Sequence, residues 1–463
     1  MNVLVINGSP KGENSITLQT VLYLEKHNPN TEFTVLHAGQ QIRKYEKDFS
    51  EAAAALKKAD LILFAYPVYT FIVPAQLHRF IELIKENGTD LKGKYATQLT
   101  TSKHFYDTTA HRFIQDNCDD LGLRYIRGLS ADMDDLLHPE GRKEAREFFK
   151  YVRMCIKCGY CEPCRYGSAD GQEAENRACM PEEAAAGTEE KNGKGQEGTQ
   201  KEAPSIVIVA DITDDSSGRE LHEMIETFRK ASRCSCEVVN IREFPFSGGC
   251  LGCFRCAADG TCVYKDGFDS FLRERIQKAD ATVYACTIRD HSMGSRFKMF
   301  DDRQFCNGHR TVTMGKPVGY IVNGSLKDEE NLRTVMEARA QVGGNYLAGI
   351  ACSGREFKAQ AERLAGILEY CLEHSYTQPK NFYGVGGLKI FRDLIYQMQG
   401  LMKEDHRFYK QHGFYDFPQK KKATIAGMYL VGAMMNSKKL SRRLGEKMTE
   451  GMLMPYRKVL EKD

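Results

Sequence analysis

Four cysteines, Cys155, Cys158, Cys161 and Cys164, stand two residues apart in one short run. A second comb follows further along: Cys250, Cys253, Cys256 and Cys262. Thiols this dense cannot all pair as disulfides without severe strain. They suit a compact polynuclear metal centre, which handles one electron at a time. A different chemistry opens the chain, where a short apolar run leads into Asn7, Gly8, Ser9, Pro10, Lys11, Gly12, Glu13, Asn14 and Ser15. At the carboxyl edge of a parallel sheet such a loop gathers backbone N–H groups at a helix N-terminus, whose partial positive charge favours an anion. Side chains of Ser9, Asn14, Ser15 and Thr17 add donors, which suits a phosphate monoester. The loop is neither a Walker motif nor a spaced glycine triplet. Its bland reading is an ordinary strand-to-helix turn capped by Ser or Asn.

The elements that must position these groups repeat. Residues 3–6, 31–36, 61–65, 95–100 and 124–129 read as strands. Helical stretches near 15–25, 51–58, 75–84, 111–121 and 139–154 alternate with them. Such βα units predict a doubly wound parallel sheet. Residues from about 165 to 204 are rich in Glu, Gly, Lys and Gln and read as a flexible linker. The pattern then restarts, with strands at 205–210, 236–241, 281–286, 317–322 and 346–351. The expected fold is therefore α/β: two tandem doubly wound parallel sheets of five strands each, with a helical C-terminal extension. The boundaries fall at 1–154, 155–204 (comb and linker), 205–376 and 377–463. The extension is basic, with Lys420, Lys421, Lys422, Lys438, Lys439, Arg442 and Arg443. It reads as a solvated helical cap over the second sheet, or as a surface for an acidic redox partner or anionic lipid.

The third strand ends in an aromatic loop, Tyr66, Pro67, Val68, Tyr69, Thr70 and Phe71, followed by Pro74, Ala75, Gln76 and Leu77. In a flavodoxin-like strand order this loop and the phosphate loop flank the ligand crevice, at the point where the strand order reverses. The two loops resemble those of the NAD(P)H-dependent FMN reductases. With the second comb added, the chain resembles the iron–sulfur flavoproteins, which share the flavodoxin-like fold. That resemblance implies FMN, with its phosphate held by Ser9, Lys11, Gly12, Asn14 and Ser15. Pro67, Val68, Tyr69 and Thr70 would line the ring, with Thr101, Ser102, Lys103 and His104 on the other edge. It also implies a [4Fe–4S] cluster on Cys250, Cys253, Cys256 and Cys262, with zinc or free thiols as the alternatives. The first comb approaches a ferredoxin run but shortens its last gap. A cluster there takes Cys164 or Cys179 as fourth ligand, and zinc again is the alternative.

The second copy departs from the pattern. Asp211, Asp214 and Asp215 stand where the phosphate loop belongs and would repel a dianion. That half is expected to bind FMN poorly or not at all. The resemblance further implies that one subunit's cluster lies near its partner's flavin, an arrangement this chain would hold internally as a pseudo-dimer, with the first comb as an extra relay. Homo-oligomerisation is the other route to it.

Bulk properties narrow the class. A net charge of +3 is too small to imply nucleic acid as a main partner, and none is expected. Sixteen cysteines without an export signal point to a reducing cytoplasm, and no apolar run reaches the length of a membrane span. Outside the combs the cysteines read as small core hydrophobes. No catalytic triad or carboxylate pair is evident. Iron–sulfur centres carry single electrons whereas NAD(P)H delivers hydride, and flavin exchanges both. The expected function is an FMN-dependent iron–sulfur oxidoreductase working between NAD(P)H or ferredoxin (or another redox protein) and an unidentified acceptor. The alternatives are an NAD(P)H-dependent FMN or quinone reductase with structural metal, and a non-enzymatic metal-binding scaffold.

Overall fold

The structure, a computed structural model, describes residues 1–164 and 204–435. The linker, Cys179, Lys438, Lys439, Arg442 and Arg443 lie outside the described residues. The chain divides into two compact units, Met1–His406 and Arg407–Asp463.

The first unit holds both sheets. In the first half, β1 (Asn2–Asn7), β2 (Glu32–Leu36), β3 (Leu61–Pro67) and β4 (Tyr95–Ser102) alternate with α1 (Ile16–Lys26), α2 (Ala38–Lys47), α3 (Ser50–Lys58), α4 (Ala75–Glu86) and α5 (Asp107–Asp120). The strands are parallel in the order β2-β1-β3-β4. The fifth position is split between β5 (Arg124–Tyr125) and β6 (Leu129–Asp132), which pair with the start and the end of β4. Gly128 lies at the break, where a Cβ would collide with Gln98. Strands β1 and β3 are apolar and buried along almost their whole length, as a sheet covered on both faces requires. α6 (Pro139–Cys158) closes the first half and ends at Gly159, whose φ of 72° is the left-handed cap that glycine takes without strain.

The second half repeats the order. β7 (Ser205–Ala210), α7 (Ser216–Ala231), β8 (Ser235–Asn240), the short α8 (Arg255–Asp259) and α9 (Phe268–Phe271), β9 (Ala281–Thr287), α10 (Gly294–Arg303), β10 (Pro317–Asn323), α11 (Glu330–Gly343), β11 (Tyr346–Cys352) and α12 (Phe357–His374) follow in turn. The sheet runs β8-β7-β9-β10-β11, all parallel. The expected helix near 268–278 continues past α9 as a π turn over Leu272–Ile276.

The halves share a core. The cluster around Phe64, Phe80 and Phe113 in the first half continues into Val335 and Ala338 of α11. α4 packs on α10, and each helix caps the other. Ala75 N–H at the start of α4 donates to Asp302 Oδ2 at 2.8 Å, and Ser295 N–H at the start of α10 donates to Glu82 Oε1 at 2.7 Å. Antiparallel bridges Tyr69–Ile72 and Arg289–Ser292 precede the two helices. Ala75 and Ser295 lie equally far past these bridges, and so do Glu82 and Asp302. The interface is therefore pseudo-symmetric. A carboxylate at a helix N-terminus stabilises it by about 0.3–2 kcal/mol.

The extension begins with α13 (Phe382–Gln397) and α14 (Lys403–Gln411). α13 lies on α11 and reaches the first half, where the Phe391 and Phe105 ring centroids are 4.4 Å apart. Asp405 of α14, fully buried, takes His309 N–H at 3.1 Å and Arg310 Nη1 at 2.7 Å. The second unit contains α15 (Lys422–Met435), with Met428, Tyr429 and Leu430 exposed. Among the described residues no helix is long and apolar enough to cross a membrane.

Candidate functional site

Three loops meet at the carboxyl edge of the first sheet. The first is the phosphate-type loop, held rigid by its own bonds. Asn7 Nδ2 donates to Gly12 O at 2.9 Å and Ser9 N–H to Asn7 Oδ1 at 3.1 Å. Gly12 has a φ of 56°, and a Cβ there would collide with Gln40. Ser15 caps α1 by accepting Leu18 N–H at 3.4 Å. The hydroxyls of Ser9, Ser15 and Thr17 are buried at the amino end of α1, whereas Asn14 is exposed. Lys11 stands half-buried with no acidic partner among the described residues. The second loop carries Pro67, Val68, Tyr69 and Thr70. Tyr69 and Ile72 exchange backbone bonds of 2.9 and 3.1 Å, which leaves Thr70 and Phe71 at φ values of 41° and 73°. Non-glycine residues take such angles only where their surroundings impose them. The third loop carries Thr101, Ser102, Lys103 and His104. Thr101 Oγ1 lies 2.6 Å from Thr17 Oγ1, tying this loop to α1. His104 Nδ1 lies 2.9 Å from Asp107 Oδ2, and Lys103 donates to Asp132 Oδ1 at 2.6 Å and to Asp134 Oδ2 at 3.1 Å.

The second comb lies directly against this edge. Gln76 Nε2 at the start of α4 donates to Cys250 O at 3.3 Å. A Cβ on Gly252 would collide with the Tyr69 hydroxyl, so only glycine permits the approach. Lys11 Nζ stands 5.6 Å from the Phe254 ring centre, and the Tyr69 and Phe305 rings meet edge-on at 6.0 Å. Burial first, and the neighbouring Cys250 thiol second, raise the Tyr69 hydroxyl far above its ordinary range. Tyr69 O accepts from buried Lys298 Nζ at 2.8 Å, and Thr70 Oγ1 donates to buried Asp302 Oδ1 at 2.7 Å.

Cations surround the comb. Arg303, 1% exposed, donates to Asp266 from both terminal nitrogens at 2.9 and 2.8 Å, to Gly248 O at 2.9 Å and to Cys262 Sγ at 3.8 Å. Burial alone would raise the Asp266 carboxyl, but the Arg303 bonds win and hold it at about 2. Arg273 and Arg310 reach Cys306 O at 3.5 and 3.4 Å. Cys256 Sγ lies 2.8 Å from Phe305 O, and burial pushes its thiol up to about 11. Arg303 beside Cys262 Sγ suits a cluster whose thiolates carry negative charge. No three sulfurs of either comb converge within 4.8 Å among the described residues. One tetrahedral zinc would need its sulfurs about 3.8 Å apart, from Zn–S bonds of about 2.3 Å.

The first comb stands elsewhere. Cys155 and Cys158 belong to α6, with Cys155 packed in the core beside Phe149 and Val152, while Cys158, Cys161 and Cys164 are exposed. Glu162 N–H donates to Tyr125 O at 2.7 Å, which places the comb at the amino end of β4. The crevice lies at the other end of that 8-residue strand, about 25 Å away at about 3.3 Å per residue.

Sequence reasoning missed Lys298, Asp302, Arg303 and Phe305, and it named Gln76 only as part of the segment after the aromatic loop; these residues join the comb to the crevice. Cys306 is the small core thiol its setting in the sequence suggested, 2% exposed in one core cluster with Phe297 and Phe300, and burial pushes it up to about 12. The unusual charge density of α10, with Lys298 and Asp302 one turn apart, was the available signal.

The second half's counterpart of the phosphate loop is filled by its own carboxylate. Asp215 accepts Gly218 N–H at 3.0 Å, Thr213 Oγ1 and Ser217 Oγ at 2.6 Å each, and Arg289 Nη2 at 3.0 Å. These donors hold its pKa well below the usual carboxylate range.

Two doubly wound sheets, one with a phosphate-type loop beside an aromatic loop, define a flavodoxin-like protein. The flavodoxin-like fold family matches residues 1–129, and the NADPH-dependent FMN reductase family matches residues 205–351. The iron-sulfur flavoprotein of Archaeoglobus fulgidus is 30% identical over 174 residues, covering 36% of this chain and 79% of that protein. The chain belongs to the iron–sulfur flavoprotein family and is a flavin oxidoreductase. Among solved structures, an NADH:FMN oxidoreductase in its apo form is 20% identical, covering 33% of this chain and 88% of that one, with a TM-score of 0.30. An FMN-dependent NADH-azoreductase from Bacillus anthracis, in complex with FMN, is 14% identical, covering 33% and 98%, with a TM-score of 0.27.

Proposed function

We propose that this chain is an FMN-dependent iron–sulfur oxidoreductase that passes electrons between NAD(P)H or ferredoxin and an acceptor still to be identified. FMN would sit on the first half, with its phosphate at Ser9, Lys11, Gly12, Asn14 and Ser15. A [4Fe–4S] cluster would sit on Cys250, Cys253, Cys256 and Cys262. Bound flavin supplies exchange between hydride and single electrons. The buried hydroxyls at the amino end of α1 suit a phosphate, and Lys11 adds the countercharge. The Tyr69 loop, its backbone fixed by the bridge to Ile72, presents one face to the crevice and the other to the comb. Behind the third loop, Phe391 of α13 packs on Phe105. Arg303, at 3.8 Å from Cys262 Sγ, would counter the charge of cluster thiolates.

One observation carries this reading: the comb of one half lies on the flavin-type loop of the other, joined by Gln76 to Cys250 and Tyr69 to Gly252. The test is anaerobic purification with iron, acid-labile sulfide and FMN quantified per chain. About four irons and one FMN are expected from the second comb and the crevice, and about eight irons if the first comb is also loaded. Flavin without labile sulfide would favour a simple FMN or quinone reductase, and neither would leave a scaffold.

A further inference from the structure

A second cluster of ligating groups lies between the halves, away from the combs and the crevice. His78 of α4 is 0% exposed, and neither ring nitrogen has a hydrogen-bond partner. Its Nε2 points at two carboxylates, 3.9 Å from Glu82 Oε1 and 3.7 Å from Asp290 Oδ2. One ligand atom from each of the three residues falls within 4.8 Å of the others. A buried ring left unbonded costs about 1–3 kcal/mol. The other half shows what belongs there. His78 stands four residues before Glu82, as Lys298 stands four before Asp302. Lys298 fills its place with an ammonium bonded to Asp302 and, at 2.8 Å, to Tyr69 O. At the matching place His78 and Glu82 of the first half face Asp290 of the second, and the nearby cations Arg79 and Lys85 bind the other oxygens of the two carboxylates.

We propose that His78 Nε2, Glu82 and Asp290 form a divalent cation site that staples the two halves together, the ion replacing the ammonium of the opposite half. One imidazole and two carboxylates suit Mn²⁺, Fe²⁺ or Zn²⁺. Ligand bonds of about 2.0–2.2 Å set neighbouring ligand atoms about 3.0–3.4 Å apart, so the two carboxylates must move towards the imidazole by about 0.5 Å or more as the ion enters. The carboxylates are already oriented from outside the site. Glu82 takes Ser295 N–H at 2.7 Å, Ser295 Oγ at 2.5 Å and Arg79 Nη1 at 2.9 Å. Asp290 uses its other oxygen, Oδ1, for Lys85 Nζ at 2.8 Å, and Phe113 packs on the imidazole with ring centres 4.9 Å apart. Ligands held by outer bonds of this kind are the rule in protein metal sites.

Mn²⁺ is the probe, because thiolate combs prefer softer ions. The full-length protein, purified without oxygen and dialysed against chelator, is titrated with Mn²⁺ while free ion is read by electron paramagnetic resonance. About one ion per chain should bind and raise the Tm, as any ligand selective for the folded state does. Asp290→Asn and His78→Lys should each weaken binding by about tenfold or more. His78→Lys copies the opposite half, so it should fold and keep or raise the metal-free Tm. Absence of stoichiometric Mn²⁺, or affinity unchanged in both variants, overturns the proposal. Should His78→Lys fail to fold, the copied ammonium does not fit, and Asp290→Asn then decides the site alone.

Discussion

The two halves share a strand order yet differ wherever a cofactor is at stake. After its second strand the first half runs from Leu36 straight into α2, with no cysteine, whereas the second half runs from β8 into the comb. After its first strand the first half keeps buried hydroxyls and Lys11, whereas the second fills the same position with Asp215 and Arg289. At these two positions each half lacks what the other has. The pseudo-symmetric α4–α10 interface then sets the comb of one against the loop of the other.

The largest expected effect tests the division at the comb. Cys253→Ser should abolish cluster iron at the second half while leaving FMN bound, read by iron and flavin content and by loss of the broad brown absorbance. Flavin lost along with the iron would mean that the sites are not separable. Next comes the phosphate loop. Ser9→Asp copies the charge of the second half, and at 4 Å with an effective dielectric constant of 20 one such repulsion costs about 4 kcal/mol, or about a thousandfold in FMN affinity. Flavin fluorescence quenching measures it. Wild-type stoichiometry should be one FMN per chain, and two would erase the distinction between the halves.

The interface offers a paired comparison. Asp302 is 0% exposed and neutralises Lys298, itself 3% exposed, whereas the side chain of its counterpart Glu82 is 15% exposed. Asp302→Ala strands a buried ammonium and should cost about 3–5 kcal/mol. Glu82→Ala in metal-free protein loses a cap and should cost about 1–2 kcal/mol. Urea denaturation of both variants gives the difference, and equal costs would deny the asymmetry.

The strands were legible because a parallel sheet covered on both faces demands continuous apolar runs, as at Leu61–Pro67 and Pro317–Asn323. α2 was not, since Gln40, Gln41, Arg43 and Lys44 give it little apolar content; it buries Tyr45 against Phe80 and sets Gly39 and Gln40 against the phosphate loop. The crevice loops could be read from local composition, because phosphate recognition is written within a few consecutive residues. The contacts joining comb to crevice could not. Gln76 and Cys250, or Thr70 and Asp302, meet only through the docking of two sheets, and local patterning carries no record of that geometry.

The smallest expected effect separates the halves by pH. The first half buries a polar layer: Tyr66 Oη donates to Gln98 Oε1 at 2.6 Å, and His111 Nε2 lies 2.9 Å from Thr100 Oγ1. The corresponding strand of the second half, β10, is apolar at Ile321 and Val322. Burial lowers the His111 imidazole to about 4, against about 6.5 in an unfolded chain. Between those values the unfolded state binds more protons than the native one, so stability falls as pH drops from 6.5 towards 4. The slope from this one group is at most about 1.4 kcal/mol per pH unit. Asp116, which burial raises to about 6, acts in the opposite sense, so wild-type stability alone does not isolate the histidine. His111→Gln does: the acid-side slope of its urea-derived stability should flatten relative to wild type. Amide exchange should show the same asymmetry, with β4 opening faster than β10 as the solution is acidified. An identical slope in the variant, or equal acceleration in both strands, would mean that acid acts on the two halves alike.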